Sequence, residues 1–189
     1  MRILGIDPGM KSTGVCLLEY CRDWSSILKT VTITTPPDFD IIRRVCFIFD
    51  AVEELVMEEA PNLIGIEDFV DQKTTLTVDA QDVNRVIGAL YLFSERCPIF
   101  MLGAADWKHA LCPHVPRDKR SKDFAVRRSV EIRTRYSFGS AKQHEIDAAG
   151  IALVAGDRNR FERHIKEQNC DLDQFNPASR REPSSRRCS

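Results

Sequence analysis

Arg2-Ile3-Leu4-Gly5-Ile6-Asp7-Pro8-Gly9 opens the chain with an apolar run that closes on an acid and a turn. The run has the length of a buried strand, and Pro8-Gly9 ends it. Thr13-Gly14-Val15-Cys16-Leu17-Leu18 starts a second strand, and residues 27–33 have the β-branched content of a third. Pro36-Pro37 stops that strand. Ile41, Val45, Ile48, Phe49, Val52, Leu55 and Val56 then recur at spacings of three and four, which predicts a helix that Pro61 ends. Residues 62–66 read as a fourth strand, apolar as a buried parallel strand is, and it closes on Glu67.

The remainder continues the alternation. Residues 69–77 read as a polar loop. Residues 79–95 read as a helix with Val83, Val86, Ile87, Leu90 and Phe93 on one side. Residues 98–102 read as a fifth strand, and 103–120 as irregular, with one turn around Trp107. Helices are expected over 122–133 and 144–155. The order β-β-β-α-β-α-β-α-α is that of an α/β layered sheet with helices on both faces. Residues 1–169 are expected to form one domain. Residues 170–189, rich in Pro, Ser and Arg, are expected to be a disordered basic tail.

Composition bounds the class. With 43% apolar and 29% charged residues, the 189-residue chain has the content of a soluble globular domain. No apolar run approaches the roughly 20 residues of a membrane span, and Asp7 interrupts the first one too early for a signal peptide. Seven scattered cysteines without a Cys-x-x-Cys pair fit a reduced, cytoplasmic protein. His109, Cys112 and His114 have zinc-like spacing but lack an evident fourth ligand, and an ordinary helix end and turn explains them as well. The net charge of −1 is unevenly spread. Bases lead over residues 117–136, through Arg117, Lys119, Arg120, Lys122, Arg127, Arg128, Arg133 and Arg135; such a run suits a polyanion-binding surface, and taken alone it fits a solvated helix face better.

Four side chains carry the chemistry. Asp7 and Glu67 each close a buried strand, where a carboxylate is costly to desolvate unless a cation meets it. His144 and Asp147, three apart, share one face of a helix. Hard oxygen ligands of this kind favour Mg²⁺ or Mn²⁺, and two such ions about 4 Å apart hold an attacking water and a leaving oxygen in line. Each position has a plain alternative. Asp7-Pro8-Gly9 is a turn composition, Glu67-Asp68 can open a solvated loop, and His144 and Asp147 suit the first turn of a helix. Their joint occurrence, in this order along one α/β pattern, favours metal-dependent phosphoryl transfer.

These segments resemble the RuvC-type Holliday-junction resolvases of the RNase H-like superfamily. Residues 2–9 with Thr13-Gly14 look like that family's opening motif, and Ile66-Glu67 like its second acidic motif. His144-Glu145-Ile146-Asp147-Ala148-Ala149-Gly150-Ile151-Ala152 is similar to its last motif. The resemblance covers about residues 1–156. It implies an RNase H-like fold with a five-stranded mixed sheet. It also implies a homodimeric endonuclease that nicks four-way DNA junctions using two Mg²⁺ ions, for which Mn²⁺ can substitute. Asp7, Glu67, His144 and Asp147 would then be the metal ligands, with His144 alternatively orienting the attacking water.

Trp107-Lys108 and Lys122 look like the family's valine-lysine pair and its helix-start lysine, which makes Lys122 a catalytic candidate. Phe69 is the candidate for the aromatic that stacks at the junction in this family, and a Phe that fills core space is an equally good reading. Lys108, Lys119, Arg120, Arg127 and Arg128 are the remaining DNA-contact candidates. The helix of residues 79–95, with Gly88-Ala89, matches the position of the family's dimer helix, and an ordinary core helix is the other reading. The near-neutral charge and the divergent 103–120 stretch suggest a specialised relative, from a virus or mobile element, with a substrate range extending to flaps or other branches. Its setting would be the cytoplasm of a bacterium or of such an element's host. Three other readings stand beside this one: a nuclease acting on RNA or RNA–DNA hybrids, an actin/sugar-kinase-type ATP-binding protein, and a non-catalytic nucleic-acid-binding module. The second normally needs two such domains and a second glycine-rich motif, and the third would have lost a ligand.

Overall fold

Strand pairing carries the acid of the first strand to the acid of the fourth. The computed structural model describes residues 1–21, 24–69, 78–114 and 118–175, with the side chains of 78, 79 and 167–175 excepted. Strands β1 (Arg2–Asp7), β2 (Ser12–Tyr20) and β3 (Ser25–Thr34) are followed by helix α1 (Ile41–Glu59) and strand β4 (Leu63–Asp68). Helix α2 (Val78–Leu90) runs into a 3-10 turn (Tyr91–Glu95) and strand β5 (Ile99–Gly103). Helices α3 (Ala104–Leu111), α4 (Lys119–Thr134) and α5 (Gln143–Phe175) complete the chain.

The sheet has five strands in the order β3-β2-β1-β4-β5. β1 and β2, and β2 and β3, pair antiparallel, whereas β1, β4 and β5 are parallel neighbours. The expected mixed sheet therefore forms. Its functional consequence is that β1, β4 and β5 all end at the same edge.

Alternation along β1 divides the core in two. Ile3 joins a cluster with Trp107 of α3, Val126 and Val130 of α4, and Ile146, Ala148 and Ile151 of α5. Leu4 and Ile6 join the opposite cluster, with Ile48, Val52 and Leu55 of α1 and Val86, Ile87 and Leu90 of α2. Helices thus cover both faces. α1 starts because Asp40 accepts a hydrogen bond from the Arg43 N–H at 2.8 Å. It ends at Ala60, which takes a left-handed φ of 44° immediately before Pro61.

α5 lies unusually close to the sheet. A Cβ on Gly5 would overlap the Ala148 carbonyl, and one on Gly14 would overlap the His144 carbonyl. A Cβ on Gly65 would lie 2.9 Å from that of Ala155. These three glycines sit on neighbouring strands and leave a track for the small residues of the helix.

The structure differs from the sequence reading at several ends. Residues 103–120 are not irregular as expected: α3 forms two turns there, starting at Gly103 directly after β5. α4 begins at Lys119 rather than 122, because Asp118 caps it by accepting from the Ser121 N–H at 2.9 Å. The helix expected over 79–95 is α only to Leu90. The helix expected over 144–155 continues to Phe175. By its contacts the chain divides into two units, Met1–Gly156 and Asp157–Ser189. The second comprises, as far as it is described, the later turns of α5, on which Phe161 and Ile165 are exposed. The tail expectation for 170–189 meets helix as far as 175. The rest, with Arg180, Arg181, Arg186 and Arg187, lies outside the described residues, as does most of the loop expected over 69–77. Among the described residues no helix is long and apolar enough to cross a membrane.

Candidate active site

Register and parity bring the first two acids together. Ile6 pairs with Ile66, so Asp7 and Glu67 follow one step later on adjacent parallel strands. Asp7 continues the alternation of Ile3 and Gly5, and Glu67 that of Leu63 and Gly65. Both side chains therefore lie on the α5 face. Asp7 also pairs with Gly14, the residue that admits the backbone of His144. The first turn of α5 is thereby held over the end of β1.

His144 Nδ1 lies 2.5 Å from Asp7 Oδ2. Asp147, one turn along α5 and 8% exposed, accepts from Gln143 Nε2 at 2.7 Å and pairs with Lys108 Nζ at 3.4 Å. Glu67 accepts from the indole N–H of Trp107 at 2.9 Å. Glu145 turns elsewhere and accepts from the Thr32 hydroxyl at 2.7 Å. His144, and not its neighbour Glu145, is the side chain of this turn that reaches the acids.

The four groups are electrostatically coupled. Burial, and then the charge of Asp7, push the Glu67 carboxyl up to about 7, against the opposing effects of Lys108 and the Trp107 hydrogen bond. Asp147 is raised by burial and by Asp7, against Lys108 and Gln143. His144 is raised chiefly by its hydrogen bond to Asp7, and also by the charges of Asp7, Asp147 and Glu67. Glu67 and Asp147, each raised in part by the charge of Asp7, form with it a set of three carboxylates to which a divalent cation is chemically suited. In this structure each carboxylate is met by a protein donor. Among the described residues, no three His, Cys, Asp or Glu side chains stand as a ready-made ligand group.

The shifts have a measurable consequence. Glu67, Asp147 and His144 all bind a proton more tightly in the folded chain than in the unfolded one. The stability this gives is fully present below the unfolded values and is lost as pH rises through the folded ones. For Glu67 the window runs from about 4.5 to about 7. In chelator, thermal denaturation between pH 4.5 and 8 should show the melting temperature falling as pH rises. Glu67 should contribute about 3 kcal/mol at most. Glu67→Gln should flatten the slope; an equal slope in that variant would exclude Glu67 as its source.

The other predicted residues distribute differently. Lys108, assigned to DNA contact, stands within the acidic cluster. Lys122, assigned to catalysis, sits in the first turn of α4 and acts electrostatically on Asp118, with no hydrogen bond or ion pair to the cluster. Arg120 and Arg128 line an open groove of about 790 Å³ at α3 and α4, together with Leu111, Phe124 and Ala125. Arg127 is half-buried, donating to Glu131 at 3.1 Å and to the Gly139 carbonyl at 2.7 Å. Lys119 is exposed at the start of α4. Phe69 is 43% exposed just past β4. Cys112, one of the zinc-like trio, contacts the Ala125 carbonyl and the Ser129 hydroxyl at the end of α3. Gln143 was missed by sequence reasoning. Its spacing of four from Asp147 was the available signal.

Comparison with known proteins gives this geometry a lineage. The family described as crossover junction endodeoxyribonuclease RuvC matches residues 3–154. The RuvC of Cupriavidus pinatubonensis is 28% identical over 156 residues, covering 81% of this chain and 82% of that protein. The structure of Thermus thermophilus RuvC superposes with a TM-score of 0.72 at 22% identity, covering 86% of this chain and 97% of the other. T. thermophilus RuvC in complex with Holliday junction substrate gives 0.71 at 19% identity, covering 85% and 96%. At these identities the structural likeness establishes the RNase H-like fold alone. The family match spans most of the chain, and the chain belongs to the RuvC family of crossover junction endodeoxyribonucleases.

Proposed function

We propose that this chain resolves branched DNA, four-way junctions first, by divalent-metal-dependent hydrolysis of phosphodiester bonds. The observation that carries the reading is the convergence of Asp7, Glu67, His144 and Asp147 at one sheet edge. The fold match to a RuvC bound to a Holliday junction supports the substrate class. Metal dependence is typical of the family.

Asp7, Glu67, Asp147 and His144 would hold Mg²⁺, with Mn²⁺ able to substitute, and two ions per site suit in-line displacement. Such ions, when bound, activate the attacking water and stabilise the charge that develops on the phosphate. The chain's own groups prepare the site. Lys108 offsets the charge of Asp147, Trp107 holds one oxygen of Glu67, and His144 contacts Asp7 through Nδ1. Arg120 and Arg128, open to the groove at α3 and α4, are the arginines of α4 best disposed to meet phosphates.

Purified protein incubated with a synthetic four-way junction should give symmetric nicks with Mg²⁺ and none with chelator. An RNA–DNA hybrid cut in preference to the junction would overturn the reading. Binding should weaken linearly with log salt, and Arg128→Ala should lower the slope by about 0.9 if that residue neutralises one phosphate. Arg127→Ala should instead lower the melting temperature, since it loses two internal hydrogen bonds. A salt-insensitive affinity would contradict the role given to α4.

The working unit proposed is a homodimer formed through α2 and its surroundings. Tyr91 and Leu92 are 53% and 67% exposed there, and a Cβ on Gly88 would meet nothing. Sedimentation of Leu92→Glu, monomeric where the parent is dimeric, would support that arrangement. The described cysteines are all free, which suits a reducing, cytoplasmic setting.

A further inference from the structure

Trp107 occupies an unusual place for an aromatic residue. It is fully buried, yet its polar edge reaches the acidic cluster. α3 starts at Gly103, which pairs with Asp68 beside Glu67, so the first turn of the helix carries the indole over the end of β4. The far side of the ring meets α5, where a Cβ on Gly150 would lie 2.7 Å from Cζ3. The Lys108 ammonium sits 4.8 Å from the ring centroid, within cation–π range, and the same ammonium pairs with Asp147. A buried indole N–H needs an acceptor, and Glu67 supplies it at 2.9 Å. One side chain therefore touches a carboxylate from β4, the cation that serves a carboxylate from α5, and the backbone of α5 itself.

We propose that Trp107 is a positioning residue for the metal-binding carboxylates, holding one oxygen of Glu67 through its N–H and steadying Lys108 on its ring face. The inference rests on the metal-dependent reading of the site. It extends that reading by giving Glu67 an indole anchor from α3. Outer hydrogen bonds of this kind orient a ligand and set its basicity, and their loss typically costs about 10- to 100-fold in metal affinity or activity.

The test reads metal binding directly. The chain has only two tryptophans, and Trp24 is 50% exposed, so Trp24→Phe leaves Trp107 as the sole emitter in a nearly unperturbed protein. Titration of that protein with Mn²⁺ should change the Trp107 emission, with the same half-saturation point that calorimetry gives. Trp107→Phe in the full chain keeps most of the ring and removes the N–H. Its half-saturating Mn²⁺ should rise by about 10- to 100-fold. Its affinity for the four-way junction in chelator should stay within a factor of a few, and saturating Mn²⁺ should restore part of the lost cleavage. A residue that merely fills the core would move stability without moving the Mn²⁺ titration.

Unchanged Mn²⁺ affinity in Trp107→Phe would overturn the inference. So would Trp107 emission indifferent to Mn²⁺ in a protein that binds the ion, a measurement that needs no change at Trp107. A parent protein that binds Mn²⁺ and cuts no branched substrate would overturn the nuclease reading alone, because this titration reads the ion and not the cut.

Discussion

Asp7→Asn is expected to lower junction cleavage by about a thousandfold or more, roughly 4 kcal/mol in the barrier, while junction binding in chelator stays within a factor of a few. The amide has the shape of the carboxylate but not its charge, so it is a poor ligand for a hard divalent ion. Asp7 is also the group that the other three sense: it raises Glu67 and Asp147 by charge and His144 by a hydrogen bond. Removing its charge should therefore relieve repulsion rather than loosen the fold, and in chelator the melting temperature should hold or rise. DNA carries the same sign of charge as Asp7, so losing that charge does not weaken association. Full cleavage by this variant with Mg²⁺ as the sole metal would count against the assignment. A large fall in melting temperature would instead make Asp7 a structural residue. Binding by gel shift, cleavage by single-turnover kinetics and melting by calorimetry separate the three effects.

Much of this site was legible because two strands repeat one pattern. Ile3, Gly5 and Asp7 alternate along β1 as Leu63, Gly65 and Glu67 do along β4, and each set reads apolar, glycine, acid. A strand cannot send every second residue to one face without sending the acid there too. The spacing of His144 and Asp147 fixed their common helix face in the same way. What supports these four was less visible. α3 spans Ala104–Leu111 and buries only Trp107 and Leu111, so two apolar residues four apart are too few for a periodic signal. With that helix unread, Trp107 had no direction, and nothing local distinguished Lys108, at the cluster, from Lys122, beside Asp118. The cap that starts α4 was readable in principle as Asp118 three residues before Ser121. The continuation of α5 beyond Gly156 leaves no comparable trace, because Asp157, Arg158, Asn159 and Arg160 replace the apolar residues that end at Ala155.

Gly14→Ala should reduce cleavage by about 100-fold without touching a candidate ligand. Gly14 is the partner of Asp7 in the β1–β2 ladder, and its bare Cα lets the first turn of α5 lie against β2. A methyl group there would overlap the His144 carbonyl and lie 2.8 Å from the His144 Cβ. Backbone, not a flexible side-chain end, stands in the way, so the helix start has to move. Protein interiors do not absorb such an insertion for free, and overpacking costs about 1–3 kcal/mol. The functional cost is larger than the stability cost suggests, because a displacement of about 1 Å in a catalytic constellation is worth about 100-fold in rate. His144 would move off Asp7, and Asp147 would follow on the same turn. Gly14→Ala should therefore be folded, less stable and nearly inactive. Cleavage by Gly14→Ala at the parental rate would mean that the α5 start is not held to the sheet by this contact. The route by which the glycine track delivers His144 and Asp147 to the strand-end acids would then be wrong.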